Sequence, residues 1–180
     1  MRHHQHAGLV GQLRSGSEEL HPHPDAQRDD AVVAWFPIMD PAGRDVDALE
    51  GLTCVPTRAG AMRITAVPHV VEHLALGDEV AVADWEGEPM ARGELALALD
   101  GTVRCVAAQG QGWLHLARLI DDAAGGIGSC WFDAIGEHAL AASVPRRALA
   151  PVFAALSASE NAGELRWQYV TPERHARADG

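Results

Sequence analysis

The chain has 180 residues, 47% of them hydrophobic and 22% charged, which is the composition of an ordinary globular protein with enough apolar material for a core. Its formal net charge of -11, with all 14 basic residues Arg, argues against a nucleic-acid partner, because phosphates require clustered basic side chains. No apolar run approaches the length of a membrane span, the Ala7–Leu13 run is too short and Gly-interrupted for a signal peptide, and three cysteines without a CxxC pair point to a reducing compartment. A cytoplasmic protein is expected.

Residues 1–30 carry His, Pro, Ser, Asp and Gln without periodicity and read as a disordered leader, dispensable for folding. Its histidines (His3-His4-x-His6 and His21-Pro22-His23) are of the kind that binds transition metals adventitiously. Order is expected from Ala31–Ile38, a β-rich run ended at Pro37. Leu52–Arg58 and Ala61–Val67 read as a hairpin around Ala59-Gly60, and Pro68 ends it. Glu79–Asp84 alternates, Gly87–Pro89 turns the chain into Met90–Leu99, and Asp100-Gly101 is a short-range hairpin signal joining that strand to Thr102–Ala108. On this reading 31–101 is a small antiparallel β region continuous with the second half.

In that half Trp113–Ala124 places Trp113, Leu116, Ala117 and Ile120 on one helical face, ended by Gly125-Gly126. Ser129–Ile135 and His138–Val144 flank the turn Gly136-Glu137. Leu149–Ser159 is a second helix with Leu149, Val152, Phe153 and Leu156 as its stripe and Pro151 in the first turn, and Leu165–Val170 closes the unit. The expected fold is α+β, with the antiparallel β region leading into a ferredoxin-like βαββαβ half over 102–172 and a frayed tail over 173–180. In that arrangement His138–Val144 lies at a sheet edge without a guarding charge, so the edge is expected to be covered.

Glu50-Gly51-Leu52, Ile64-x-x-Val67-Pro68, Leu76-Gly77-Asp78-Glu79-Val80, Gly128-Ser129-Cys130 and Leu140–Pro145 occur in order over roughly residues 50–172. Together they resemble the bacterial family domain of unknown function 4265. The family has an Asn before the Pro step and a Gly-His-Ser-x-x-Arg stretch; here those positions hold Ala66 and Asp100-Gly101-Thr102-Val103-Arg104. The resemblance carries Arg104 over, supports the architecture and implies no activity.

The motif with most chemical content is His69-Val70-Val71-Glu72-His73, the H-x-x-E-H pattern of inverted zinc proteases. It requires a helix from Pro68 to Gly77 that sets His69 and His73 on one face as ligands, with Glu72 as base. A third ligand must come from elsewhere, and Glu160 is a candidate. Cys130 and His138 face each other if their strands form a hairpin, although a core thiol is the simpler reading. Gly125-Gly126-Ile127-Gly128 follows a helix rather than preceding one, so it is no phosphate loop. Arg146-Arg147 before the second helix are positioned for an anionic group, and Trp85 in a polar turn reads as a contact residue.

No nucleophile–base–orienter set stands out. The expected function is therefore a non-catalytic ligand- or protein-binding or regulatory module, with Arg104, Arg146, Arg147 and Trp85 as ligand contacts. The alternative is a small metal-dependent hydrolase using His69, Glu72 and His73. No cofactor is expected. The expected partner is a small molecule or a basic protein, and the chain is read as a monomer with a homodimer as the alternative.

Overall fold

Short alternating apolar runs broken by Gly and Pro make most of this chain strand, because successive side chains then divide between two buried or half-buried faces. The structure is a computed structural model and describes residues 2–5, 10–40 and 42–171. The first half supplies β1 (Arg2–Gln5), β2 (Gly11–Gln12), β3 (His21–Pro22), β4 (Val32–Met39), β5 (Val46–Arg58), β6 (Ala61–Ile64), β7 (Glu79–Trp85) and β8 (Glu88–Ala96). The second supplies β9 (Gly101–Ala107), α1 (Trp113–Ala124), β10 (Trp131–Ile135), β11 (Ala139–Val144), α2 (Leu149–Asn161) and β12 (Leu165–Tyr169).

Strands β5, β4, β8, β7 and β6 follow one another, and β6 pairs back to β5. Five strands thus close into a barrel. The 13-residue β5 makes closure possible: Val46 to Cys54 pair with β4, while Cys54 to Arg58 pair with β6. Phe36, Leu52, Cys54, Ile64 and Val80 fill the interior. Outside it, β1 runs parallel to β5, Arg2–Gln5 against Ala48–Gly51.

The second sheet has the order β12-β9-β11-β10-β2-β3. Alternation sorts its two faces. Val103, Cys105, Phe132, Leu140 and Ala142 pack with Leu116, Ile120, Val152 and Leu156 of the helices. Ala141 and the half-buried Trp131 point the other way and join the barrel interior cluster. The sheet therefore lies between the helices and the barrel, with both faces covered. Helix α1 ends at Gly125, and Pro151 lies in the first turn of α2.

Several expectations are corrected. A small antiparallel region followed by a ferredoxin-like βαββαβ half is not the architecture: 42% of residues are strand and 20% helix, and the first half is a closed barrel. The second sheet extends to six strands by recruiting β2 and β3 from the N-terminal segment. The Asp100-Gly101 step is a corner between sheets rather than a hairpin, since β8 belongs to the barrel and β9 to the second sheet. A Cβ at Gly101 would lie 2.9 Å from Leu149 Cδ2 and 3.0 Å from the Tyr169 ring, so a larger residue there makes those side chains shift. Strand β11 is central, between β9 and β10, so His138–Val144 is not the sheet edge expected to need covering by another element. Strand β4 also runs through Pro37 to Met39.

The leader, where described, is part of the fold. Val10 sits in the barrel cluster and Leu13 in the helix-side core. Gln12 Nε2 donates to the Gly128 carbonyl (2.9 Å), Arg63 pairs with Asp25 (2.7 Å), and the His23 ring lies 4.3 Å from that of Trp131. Two apolar residues in a polar stretch give no periodic signal; their partners are supplied by distant strands. Readings that fall on residues 1, 6–9 and 172–180, including the frayed tail and part of the His tract, lie outside the described residues. Among the described residues no helix is long and apolar enough to cross a membrane.

Candidate binding site

The connection from β6 to β7 leaves the barrel and runs against the second sheet, and its own sequence supplies few of the partners its backbone needs. Val67, Leu74 and Leu76 anchor it in the barrel core. Between them, residues 68–73 are irregular and only partly buried, so the inward-facing amides and carbonyls must be matched by groups from elsewhere. Glu50, a fully buried carboxylate on β5, is the acceptor for three of the amides, and the Val170 carbonyl takes that of His73 (3.1 Å). Its Oε1 accepts from His69 N (2.7 Å) and Val70 N (3.1 Å), and its Oε2 accepts from Val70 N (3.1 Å) and Val71 N (2.5 Å).

Arg104 of β9 completes the clamp, donating to the Pro68 carbonyl (3.5 Å) and the Val71 carbonyl (2.7 Å). Burial lowers the Arg104 pKa from its usual value, with Glu50 and Glu72 opposing. Across the sheet Arg104 is in register with Ala141, and Ala141 with Asp133. The small Ala141 leaves room between the two charged neighbours for the connection to approach. His69 Nε2 lies 3.5 Å from the buried Asp133 Oδ2. Asp78 fixes the far end, accepting from Ala75 N (2.9 Å) and Ala98 N (2.7 Å), while Thr102 Oγ1 donates to the Leu74 carbonyl (3.3 Å).

On the open side of this segment lie two adjoining recesses. One, about 240 Å³, is lined by Phe36 and Pro37 of β4, Val71–Leu74, and Ala91–Glu94 of β8, with Val80 beneath. The other, about 500 Å³, is lined by Pro37–Asp40 and Val70–His73. They exist because the barrel is loosely sealed here: β4 and β8 share one bridge, Trp35 with Met90. Pro37, beyond that bridge, has no N–H to offer a ladder. Asp40, Glu72 and Glu94 give the lining three carboxylates, against Arg92 and His73. Two further recesses, of about 470 and 500 Å³, lie along β9 and β12 and beside the β7–β8 turn.

The expected site residues are dispersed. Arg104 is half-buried and its described bonds go to the 68–71 backbone, which makes it a structural clamp. Arg146 and Arg147 are exposed on the 3-10 turn before α2, far in sequence from the recess. Arg147 and the bond from Ser143 pull the Asp100 carboxyl down, against the stronger upward push of burial. Trp85 is half-buried at the end of β7, opposite Glu88.

The metal reading is corrected. Residues 68–73 are not helical, His73 has φ 70°, and His69 is directed to buried Asp133 while His73 is exposed. Among the described residues no group of three or more His, Cys, Asp or Glu is placed to hold a metal ion, so His69, Glu72, His73 and Glu160 form no ligand set. Cys130 and His138 also do not meet. Cys130 is in the helix-side core, and His138 Nδ1 is 2.6 Å from the Gln111 carbonyl. Burial raises all three thiols, Cys54 and Cys105 to about 12 and Cys130 further.

Sequence reasoning missed Glu50, Asp78 and Asp133. A signal was present: Glu50 and Asp133 each interrupt an apolar strand (Ala48-Leu49-Glu50-Gly51-Leu52 and Trp131-Phe132-Asp133-Ala134-Ile135). An isolated acid on such a strand is exposed or has a buried partner.

No protein-family model matches the chain, and no curated protein matches it, so the resemblance to domain of unknown function 4265 gains no support from these comparisons. Among solved structures, the chain is similar to a hypothetical protein from Neisseria gonorrhoeae, described as a novel crystal structure. The two align with a TM-score of 0.65 at 19% identity, over 80% of this chain and 96% of that one. At that identity the likeness shows the fold alone, and the neighbour's name assigns it no activity.

Proposed function

We propose that the chain is a non-catalytic binding module whose ligand occupies the paired recesses between β4, β8 and residues 70–74. The observation that carries this reading is the construction of the wall. An irregular segment is held in place by a buried carboxylate and a guanidinium from two different sheets, and it presents an apolar floor with a charged rim on its open side. Such preorganisation lowers the ordering cost of binding. Chemistry has little support, since the thiols are buried with raised pKa values and the His-x-x-Glu-His residues are turned apart.

The test is a titration of the isotopically labelled full chain with a library of neutral, cationic and anionic fragments. Amide shifts concentrated in residues 36–40, 70–74 and 91–94, and abolished by Gly93→Trp, are the expected result. A Cβ at Gly93 meets nothing within 4 Å, and Gly93 itself lines the recess, so a bulky side chain has room to start at its mouth; an unchanged melting temperature checks that the barrel is intact. Fragment binding confined to other surfaces would reject the proposal.

A further inference from the structure

Resting on that reading, we infer that the occupant is an extended basic peptide, which lies along the open flank of β8 as an added strand. Strand β8 is paired to β7 along its length, but that ladder carries register shifts between Glu79 and Val80 and between Ala81 and Val82. Such shifts bend a strand and increase its twist. On its other flank the described pairing of β8 to β4 is the single Trp35–Met90 bridge. Ala91–Glu94 therefore line a recess where a barrel strand would ordinarily be hydrogen-bonded to its neighbour. A strand flank of this kind is a template for an incoming backbone, the mode in which main-chain bonds give affinity and alternate pockets give selectivity.

Charge selects the class of peptide. Asp40, Glu72 and Glu94 line the recesses against one guanidinium, Arg92, and the imidazole of His73. Glu72 and Glu94 are exposed, while Asp40 also accepts from Arg44 N (2.7 Å) at its turn. Inside the rim the floor is Phe36, Val71, Leu74 and Val80. An extended chain alternates its side chains, so basic and apolar residues in alternation place charge on the rim and hydrocarbon on the floor. At about 3.3 Å per residue, the four residues Ala91–Glu94 pair with a segment of about four residues.

The experiment uses the full chain and capped hexapeptides in fluorescence anisotropy: alternating Arg-Val, alternating Glu-Val, and the Arg-Val peptide N-methylated at every second residue. Spermine serves as a polycation without a peptide backbone. We expect the Arg-Val peptide to bind at least about tenfold tighter than the Glu-Val peptide, and N-methylation to cost about tenfold. The double variant Glu72→Gln/Glu94→Gln should lose about tenfold with its melting temperature unchanged, and Gly93→Trp should abolish binding. Equal binding of both peptides, or an unaffected double variant, would overturn the inference. So would spermine competing as well as the peptide with no effect of N-methylation, which identifies a small-cation site. Displacement of peptide as protein concentration rises, with dimer in sedimentation, would overturn it in favour of a second copy. If neutral fragments fill the recess and the peptide does not, this inference fails while the binding-module reading stands; if neither binds, both fail.

Discussion

Replacing Glu50 by Gln removes one charge and one acceptor from the place where the 68–73 segment is held, with almost no change in volume. In the native protein the two carboxylate oxygens take four N–H contacts of 2.5–3.1 Å from His69, Val70 and Val71. Glutamine keeps one oxygen and turns an N–H toward at least one of those amides. A hydrogen bond to a charged group contributes about 1.5–3 kcal/mol, and leaving a buried donor unsatisfied costs about 1–3 kcal/mol more. Arg104, which has Glu50 as its largest stabilising charge, also loses that neighbour. The expected loss is about 3–5 kcal/mol, or roughly 6–20 °C in melting temperature for a chain of this size. Urea unfolding followed by far-UV circular dichroism, with the slope m unchanged, measures it. Hydrogen exchange should show the His69–Val71 amides opening first. The control is Glu72→Gln, an exposed neighbour whose loss should stay within about 0.5 kcal/mol. If Glu50→Gln cost under about 1 kcal/mol, the clamp would be refuted, and with it the argument that the recess wall is preorganised.

Gly11→Ala tests the structural role of the N-terminal segment: a Cβ there would sit 2.6 Å from the His21 carbonyl oxygen, so the variant should lose more than about 1 kcal/mol, as should a chain begun at Asp30. An unchanged urea midpoint would return residues 10–29 to the status of a dispensable leader. Leu156→Ala, at a fully buried position, should cost about 3–5 kcal/mol. Phe153→Ala should cost less, about 2 kcal/mol, because Phe153 is half-buried and its rings of contact are Trp167 (5.1 Å) and Tyr169 (4.8 Å); the reverse order in chemical unfolding would show the α2 face to be misassigned. Burial raises the Asp100 carboxyl, so the folded state holds that proton more tightly than the unfolded chain. Stability contributed this way falls as pH rises from the unfolded value, near 3.8, through the folded one, and stays lower above it. Asp100→Asn keeps an acceptor for Ser143 Oγ and should lose less stability than wild type between about pH 4 and pH 7; equal slopes in urea midpoints would contradict the account.

Local pattern was enough to place many of the individual elements. The stripe of Leu116, Ala117 and Ile120 sets α1 at Trp113–Ala124, and the stripe of Leu149, Val152 and Leu156 sets α2, because helix faces are written at a fixed spacing in the sequence. The Ala59-Gly60 turn between β5 and β6 is local in the same sense. The recess was not legible. It depends on β4 and β8 being neighbours with a single bridge, and more than fifty residues separate Trp35 from Met90.

What the sequence alone determined is therefore the set of strands, helices and turns whose signals repeat every two or three to four residues, together with the acidic net charge. Only the tertiary structure decided which strands share a sheet. Asp100-Gly101 turns between two sheets as readily as within one, since a dipeptide fixes the direction of the chain and not its hydrogen-bond partner. Closure of the barrel rests on β5 reaching both β4 and β6, and the place of Val10 and Leu13 rests on cavities that other segments leave for them. Glu50 shows the same limit at one residue. Whether a carboxylate in an apolar strand faces water or three amides from another segment depends on the packing of groups far apart in the chain, and short-range spacing carries no information about that.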